Sequence, residues 1–214
     1  MSKADEAYNI LKKRIISGIY PALSDLSEEL ICEELNVSRT PVREAILKLK
    51  VNGFVQTVPN KGTFVRPVSH HLIEEIYDMR ILNEPYICVK ASKRMPKESL
   101  IAIRERLCTG RAVNETQSKE YYIELDSNMH LEFLSYCANN FLVKAMQNVY
   151  DHNERIRYFA SDPQHDNSIR EHIDIIDAVL KGDPENIKEA VLVHIKASKQ
   201  ISENCFKEQP FYNF

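Results

Sequence analysis

The sequence predicts a mainly α fold: an N-terminal winged helix-turn-helix followed by an all-α antiparallel helical bundle. Three observations predict it. Glycine is scarce, at 5 of 214 residues, tryptophan is absent, and Leu, Ile, Glu and Lys are frequent, a composition that favours helices. Within residues 1–67, three helical patterns with a tight turn between the second and third precede a hairpin signal. From Ser69 onward, helical periodicity is interrupted only by Pro96, Asn139-Asn140, Asp162-Pro163 and Gly182-Asp183-Pro184, with no strand pattern.

The elements follow in order. Ser2 and Asp5 fit a capping box that starts the first helix. Ala7, Leu11 and Ile15 share one face with Ile10 beside them, and Gly18 ends it. Residues 20–25 connect to a second helix, Glu28 to Leu35, capped by Ser27, with Leu30, Ile31 and Leu35 expected inward. Asn36-Val37 makes the turn, because asparagine tolerates the left-handed conformation. Ser38 caps the third helix, and Pro41 falls where its missing N–H is no loss. Val42, Ala45, Ile46 and Leu49 form its buried face, while Arg39 and Arg43 point away from the core. Gly53 closes it. Residues 54–58 and 63–66 read as two strands joined by Pro59-Asn60-Lys61-Gly62. A hairpin after a recognition helix is a wing. Lys61 at its tip is placed to meet a phosphate, and Gly62 lets the backbone approach closely.

This order of elements is one that grips a DNA major groove. Net charge is −3, which looks unsuited to nucleic acid. The charge is unevenly distributed, however: residues 1–67 carry ten Lys/Arg against eight Asp/Glu, and the remainder eighteen against twenty-three. A first segment so weakly basic binds feebly through bulk electrostatics, so affinity must come from a few placed arginines and from dimerisation. The domains are expected at 1–67 (DNA binding) and 68–214 (effector binding and dimerisation). No apolar run reaches a membrane span and the N-terminus lacks a secretory pattern. Five dispersed cysteines read as reduced thiols, so a cytoplasmic location is expected.

The first segment resembles the GntR family of bacterial transcription regulators. The resemblance rests on Glu28, on Leu35 through Ile46, on Leu49, Gly53 and Phe54, and on Asn60 through Val65. It implies double-stranded operator DNA, a pseudo-palindrome read by a homodimer, as the partner. Arg39, Thr40, Arg43, Lys61 and Gly62 are the candidate contacts. Two departures stand out. The family usually has Pro-Gly in the first connector, where this chain has Tyr20-Pro21-Ala22-Leu23; and an arginine often follows the residue matching Glu28, where this chain has the acid Glu29. Weaker or redirected DNA contacts from the second helix are expected.

Beyond Ser69, which caps it, a long helix is expected over His70 to Arg94, with Leu72, Ile76, Met79, Asn83 and Tyr86 at helical spacing and Pro85 kinking or splitting it. Further helices are expected over Lys97–Val113, Lys119–Cys137, Phe141–Ala160, Ser168–Lys181 and Pro184–Phe206. Four polar residues fall on their apolar faces: Asp126 and His130 on one helix, His172 among Ile169, Ile173 and Ile176, and His194 among Ala190, Val191, Ala197 and Ile201. Each histidine alone reads as an ordinary core or surface residue. Together, three imidazoles and a carboxylate satisfy one another by sharing a divalent ion, Zn²⁺ first, with Ni²⁺, Mn²⁺ or Fe²⁺ also suited.

This half is similar to the FCD ligand-binding domain of the FadR-like subgroup of GntR regulators, on Asp126 to Leu134, Glu171-His172 and His194-Ile195. The similarity implies Asp126, His130, His172 and His194 as ligands of a divalent ion, usually zinc, facing a cavity for a small carboxylate-type metabolite. Arg80 reads equally as a partner of Glu84 or as the effector's carboxylate anchor; Arg104, Arg155 and Arg157 rank below it. Two alternatives stay open: a metal-dependent hydrolase, since His130, His165-Asp166 and Asp183 superficially resemble HD-type phosphohydrolase ligands, and a regulator whose metal is structural or is itself the signal. His165-Asp166 reads as loop, and no nucleophile or base with a clear partner emerges, so an enzyme is not expected.

Overall fold

The computed structural model describes residues 2–112, 118–160 and 165–207. The chain divides into two compact units, Met1–Val68 and Ser69–Phe214.

The first unit contains α1 (Lys3–Ile16), α2 (Glu28–Leu35), α3 (Arg39–Val51) and a hairpin of β1 (Val55–Val58) and β2 (Gly62–Val65). Both halves of the capping box at Ser2 and Asp5 are present. Asn36 turns α2 into α3 with φ 51°, in the left-handed region that asparagine tolerates. Ser38 occupies the N-cap position of α3, but its side chain makes no capping hydrogen bond. The core lies between α1 and α3, where Leu11, Ile15, Val42 and Leu49 are each fully enclosed. Each such side chain contributes roughly 1.5–3 kcal/mol through burial. Leu30, expected inward, is 65% exposed, and Ile31 alone of α2 is buried. Leu30 and Ile31 are neighbours about 100° apart around the helix, so only one faces the core, and it is Ile31.

The strands pair antiparallel in the register Val55 with Val65 and Val58 with Gly62. The connector is not a free loop. Leu23 N–H donates to the Val65 carbonyl at 2.9 Å, Val65 N–H to the Ser24 carbonyl at 3.0 Å, and Leu26 N–H to the Thr63 carbonyl at 2.8 Å. To make this turn Leu23 adopts φ 67°, a conformation that costs an L-residue roughly 1–2 kcal/mol. It lies in the stretch where the Pro-Gly pair is missing. Gly62 has φ 122°, and a Cβ there would meet Asp25 Oδ1 at 3.0 Å, so the tip of the wing requires glycine.

The second unit is an all-α bundle of α4 (His70–Ala91), α5 (Lys97–Ala112), α6 (Lys119–Ser135), α7 (Asn140–Phe159), α8 (His165–Lys181) and α9 (Pro184–Lys207). Helix α4 packs against α9, α7 and α6, and α8 packs against α9 and α5. The Tyr77 hydroxyl bridges Ser198 Oγ at 2.7 Å and Ser202 Oγ at 2.9 Å, tying α4 to α9.

Three expectations change here. Pro85 does not split α4, which runs unbroken from His70 to Ala91. The buried stripe of α4 includes Ile73, Ile76, Tyr77, Arg80, Glu84, Pro85, Ile87, Cys88 and Ala91, whereas Met79 and Tyr86 are exposed. A hydrophobic pattern hides this face because two of its members are charged. Thirdly, His165 opens α8 rather than sitting in a loop. Asp162-Pro163 and Val113 lie outside the described residues.

Candidate metal centre and DNA-reading helix

On α3 the buried apolar face fixes the opposite face toward solvent. Arg39, Thr40 and Arg43 are exposed, and so are Lys61 and Gly62 at the hairpin tip. Both arginines meet acids of α2. Arg43 Nε donates to Glu28 Oε2 at 2.8 Å, and Arg39 Nη2 lies 3.9 Å from Glu29 Oε1. Their side chains remain 62% and 65% exposed. The acid at position 29 thus stands beside a candidate DNA contact.

In the second unit, the bundle brings Asp126 and His130 of α6, His172 of α8 and His194 of α9 together. One ligand atom from each lies within 4.8 Å of the others, and all four residues are buried. His172 Nε2 lies 3.1 Å from His194 Nε2 and 3.1 Å from Asp126 Oδ1. His130 Nε2 lies 3.8 Å from Asp126 Oδ1 and has no hydrogen-bond partner despite being buried. Such an orphaned acceptor or donor is costly unless a further group completes it. Three imidazoles, one carboxylate and an orphaned ring nitrogen fit a divalent ion.

The charges around the cluster are compensated. Burial opposes ionisation of Asp126, but Arg157 and His172 outweigh it and hold the carboxyl well below its usual range. Arg157 Nη1 is in direct contact with Asp126 Oδ2. Burial, and then the neighbouring His172, push His194 well below the usual imidazole range, and burial also lowers His172. For His172 and His194 both shifts favour the neutral ring, the form that ligates metal.

Two further carboxylates touch the histidines from outside the cluster. Glu84 Oε2 lies 3.3 Å from His130 Nδ1, and Glu171 Oε2 lies 3.0 Å from His194 Nδ1. Arg80, the expected effector anchor, is buried. Its Nε donates to Glu84 Oε1 at 2.6 Å and its Nη1 to Asn153 Oδ1 at 2.9 Å. Burial would raise the Glu84 pKa, but Arg80 and His130 outweigh it and hold it at about 2. A cavity of about 510 Å³ opens beside the cluster, lined by Lys119, Ile123, Arg157, Ser168, Glu171 and Ser202 among others. Arg157 reaches both the cavity and Asp126; Arg80 does not line the cavity.

In the sequence Arg157 ranks below Arg80, and neither Glu84 nor Glu171 is marked as the neighbour of a ligand. The available signals were a glutamate one turn from Arg80 and another directly before His172. Arg104 instead pairs with Asp177 of α8 at 2.7 Å.

The profile of bacterial regulatory proteins of the gntR family matches residues 3–65. The FCD domain profile matches residues 75–197, more than half of the chain. The chain belongs to the GntR family and carries an FCD domain. The HTH-type transcriptional repressor RspR of Escherichia coli K12 is 28% identical over 202 residues, covering 93% of this chain and 87% of the relative. A GntR-type regulator from Rhodococcus sp. RHA1 shares the fold with TM-score 0.78 at 24% identity, covering 94% of this chain and 98% of its own. E. coli McbR/YncC superposes with TM-score 0.83 at 19% identity, covering 96% and 99% of the two chains. This GntR-family chain is thus a DNA-binding transcriptional regulator. The HD-type hydrolase alternative gains no support: the converging ligand set does not include Asp183, which is exposed past the end of α8, and the matched relatives are regulators. Among the described residues, no helix is long and apolar enough to cross a membrane.

Proposed function

We propose that this GntR-family regulator, of the FadR-like subgroup, is a cytoplasmic homodimer whose operator binding is controlled by a small carboxylate at a metal site in the FCD domain. The observation that carries this reading is the convergence of Asp126, His130, His172 and His194 beside a cavity that Arg157 lines. Three imidazoles and one carboxylate fill the four positions Zn²⁺ usually takes, so an exogenous oxygen would enter as a fifth ligand. When bound, the ion supplies a Lewis-acidic point for an anionic metabolite. Arg157 supplies the matching fork. Arg80 is less suited to that task, because Glu84 and Asn153 occupy its guanidinium in the core.

In the DNA-binding unit, Arg39, Thr40 and Arg43 enter the major groove, and Lys61 and Gly62 approach the adjacent backbone. A two-fold dimer reads two half-sites only at the spacing its recognition helices allow. The effector shifts that equilibrium by its differential affinity for the two arrangements and by nothing more.

Elemental analysis of protein purified without added metal tests the centre. Close to one divalent ion per chain is expected, and a His130→Ala/His172→Ala variant should lose it. Protein that carries no ion and takes up none from micromolar Zn²⁺, or a double variant that retains its ion, sinks the metal reading while leaving the DNA reading intact.

A further inference from the structure

Each histidine of the cluster has two ring nitrogens, and only one carries hydrogen in the neutral ring. Which one is fixed by the partner of the other. His130 Nδ1 faces Glu84 Oε2 at 3.3 Å, and His194 Nδ1 faces Glu171 Oε2 at 3.0 Å. A carboxylate accepts and does not donate, so both rings place their hydrogen on Nδ1. Both then turn a bare Nε2 inward, toward Asp126 Oδ1 and His172 Nε2 respectively. We propose that Glu84 and Glu171 are positioning residues of the metal centre, which fix the tautomer and ring orientation of His130 and His194 so that Nε2 of each is the ligand atom. This rests on the metal reading above.

Packing alone does not account for Glu84. Its side chain is 1% exposed, on a helix whose other buried neighbours include Ile76, Tyr77, Ile87 and Cys88. An isolated carboxylate is expensive there. Arg80, equally buried, bonds both of its oxygens, at 2.6 and 3.5 Å, and Asn153 bonds Arg80 in turn. The chain Asn153–Arg80–Glu84–His130 thus delivers a charged acceptor to one face of an imidazole from three helices. Glu171 does the same for His194 from the next residue to the ligand His172, with its side chain 24% exposed. Carboxylates behind ligand histidines raise ring basicity and hold ring orientation, and losing one typically costs roughly 10- to 100-fold in metal affinity.

The test is Zn²⁺ affinity of the full-length protein, measured by competition with a chromophoric chelator, for the parent, Glu171→Gln and Glu84→Gln. Folding is checked by circular dichroism. Each variant should bind Zn²⁺ roughly 10- to 100-fold more weakly, and the absorption bands of the Co²⁺-loaded protein should shift, a change that a purely structural role would not produce in a folded variant. Affinities and Co²⁺ spectra unchanged from the parent overturn the proposal. If Glu84→Gln does not fold, Glu171→Gln decides, because its carboxylate is partly solvated. If the parent itself binds no Zn²⁺, the metal reading fails first and this proposal falls with it; tight parental binding with unaltered variants refutes this proposal alone.

Discussion

Two arginine–glutamate pairs of nearly equal length sit in opposite surroundings. Arg43 and Glu28 meet at 2.8 Å with side chains 62% and 40% exposed; Arg80 and Glu84 meet at 2.6 Å with both 1% exposed. The first is worth about 0.2–1 kcal/mol and is screened by salt. Arg43 can leave Glu28 for a DNA phosphate or base at little cost. The second pair cannot separate without stranding a charge in the bundle. One pair leaves an exposed arginine free to exchange partners; the other is a fixed support behind Nδ1 of His130.

The largest effect should come from breaking the buried pair. Glu84→Ala should destabilise the protein by about 3–5 kcal/mol, because Arg80 is left charged and enclosed. Replacing both residues, as in Arg80→Met/Glu84→Leu, should recover most of that loss. Urea denaturation of the two variants reads the difference, and equal destabilisation would show that the pair itself, not the orphaned charge, is what matters. A smaller stability effect and a large functional one are expected in the other unit. Arg39→Ala/Arg43→Ala should leave stability within about 1 kcal/mol. It should also abolish binding to DNA that the parent selects from a random pool, since each good arginine–base contact carries roughly 1–3 kcal/mol. Unchanged mobility shifts would remove these arginines from the interface. The smallest effect concerns backbone alone: Leu23→Gly should relieve the positive φ and raise stability by about 0.5–1 kcal/mol, net of glycine's greater freedom when unfolded. A fall in melting temperature would mean that the Leu23 side chain contributes more than its conformation costs.

The first unit was largely readable because its signals are local. A capping box, Asn36, Pro41, Gly53 and Gly62 each act on their own turn, and the apolar face of α3 follows directly from helical spacing. Leu30 is the exception: it and Ile31 are adjacent apolar residues about 100° apart on α2, and only Ile31 faces the core. In the second unit, helix positions followed from prolines and glycines, but the buried face of α4 did not. Its stripe includes Arg80 and Glu84, which hydrophobic patterning assigns to solvent. The convergence of Asp126, His130, His172 and His194 was legible as four polar residues on apolar faces. Their outer partners were not, since Glu84 reaches His130 only through the packing of α4 on α6, a contact 46 residues apart in the chain. The connector's pairing with β2 was hidden for the same reason, although the missing Pro-Gly marked where the backbone would be forced.

Asp126 has two oxygens with two different clients. Oδ1 faces His172, and Oδ2 faces Arg157, which lines the cavity. Under the proposed function, a carboxylate shared in this way would couple the metal site to the effector site. Whatever draws Arg157 away changes how much charge Asp126 can offer an ion, and an ion changes how tightly Asp126 holds Arg157. Thermodynamic reciprocity then requires one number for both directions: the factor by which a carboxylate ligand alters metal affinity is the factor by which metal alters the affinity for that ligand.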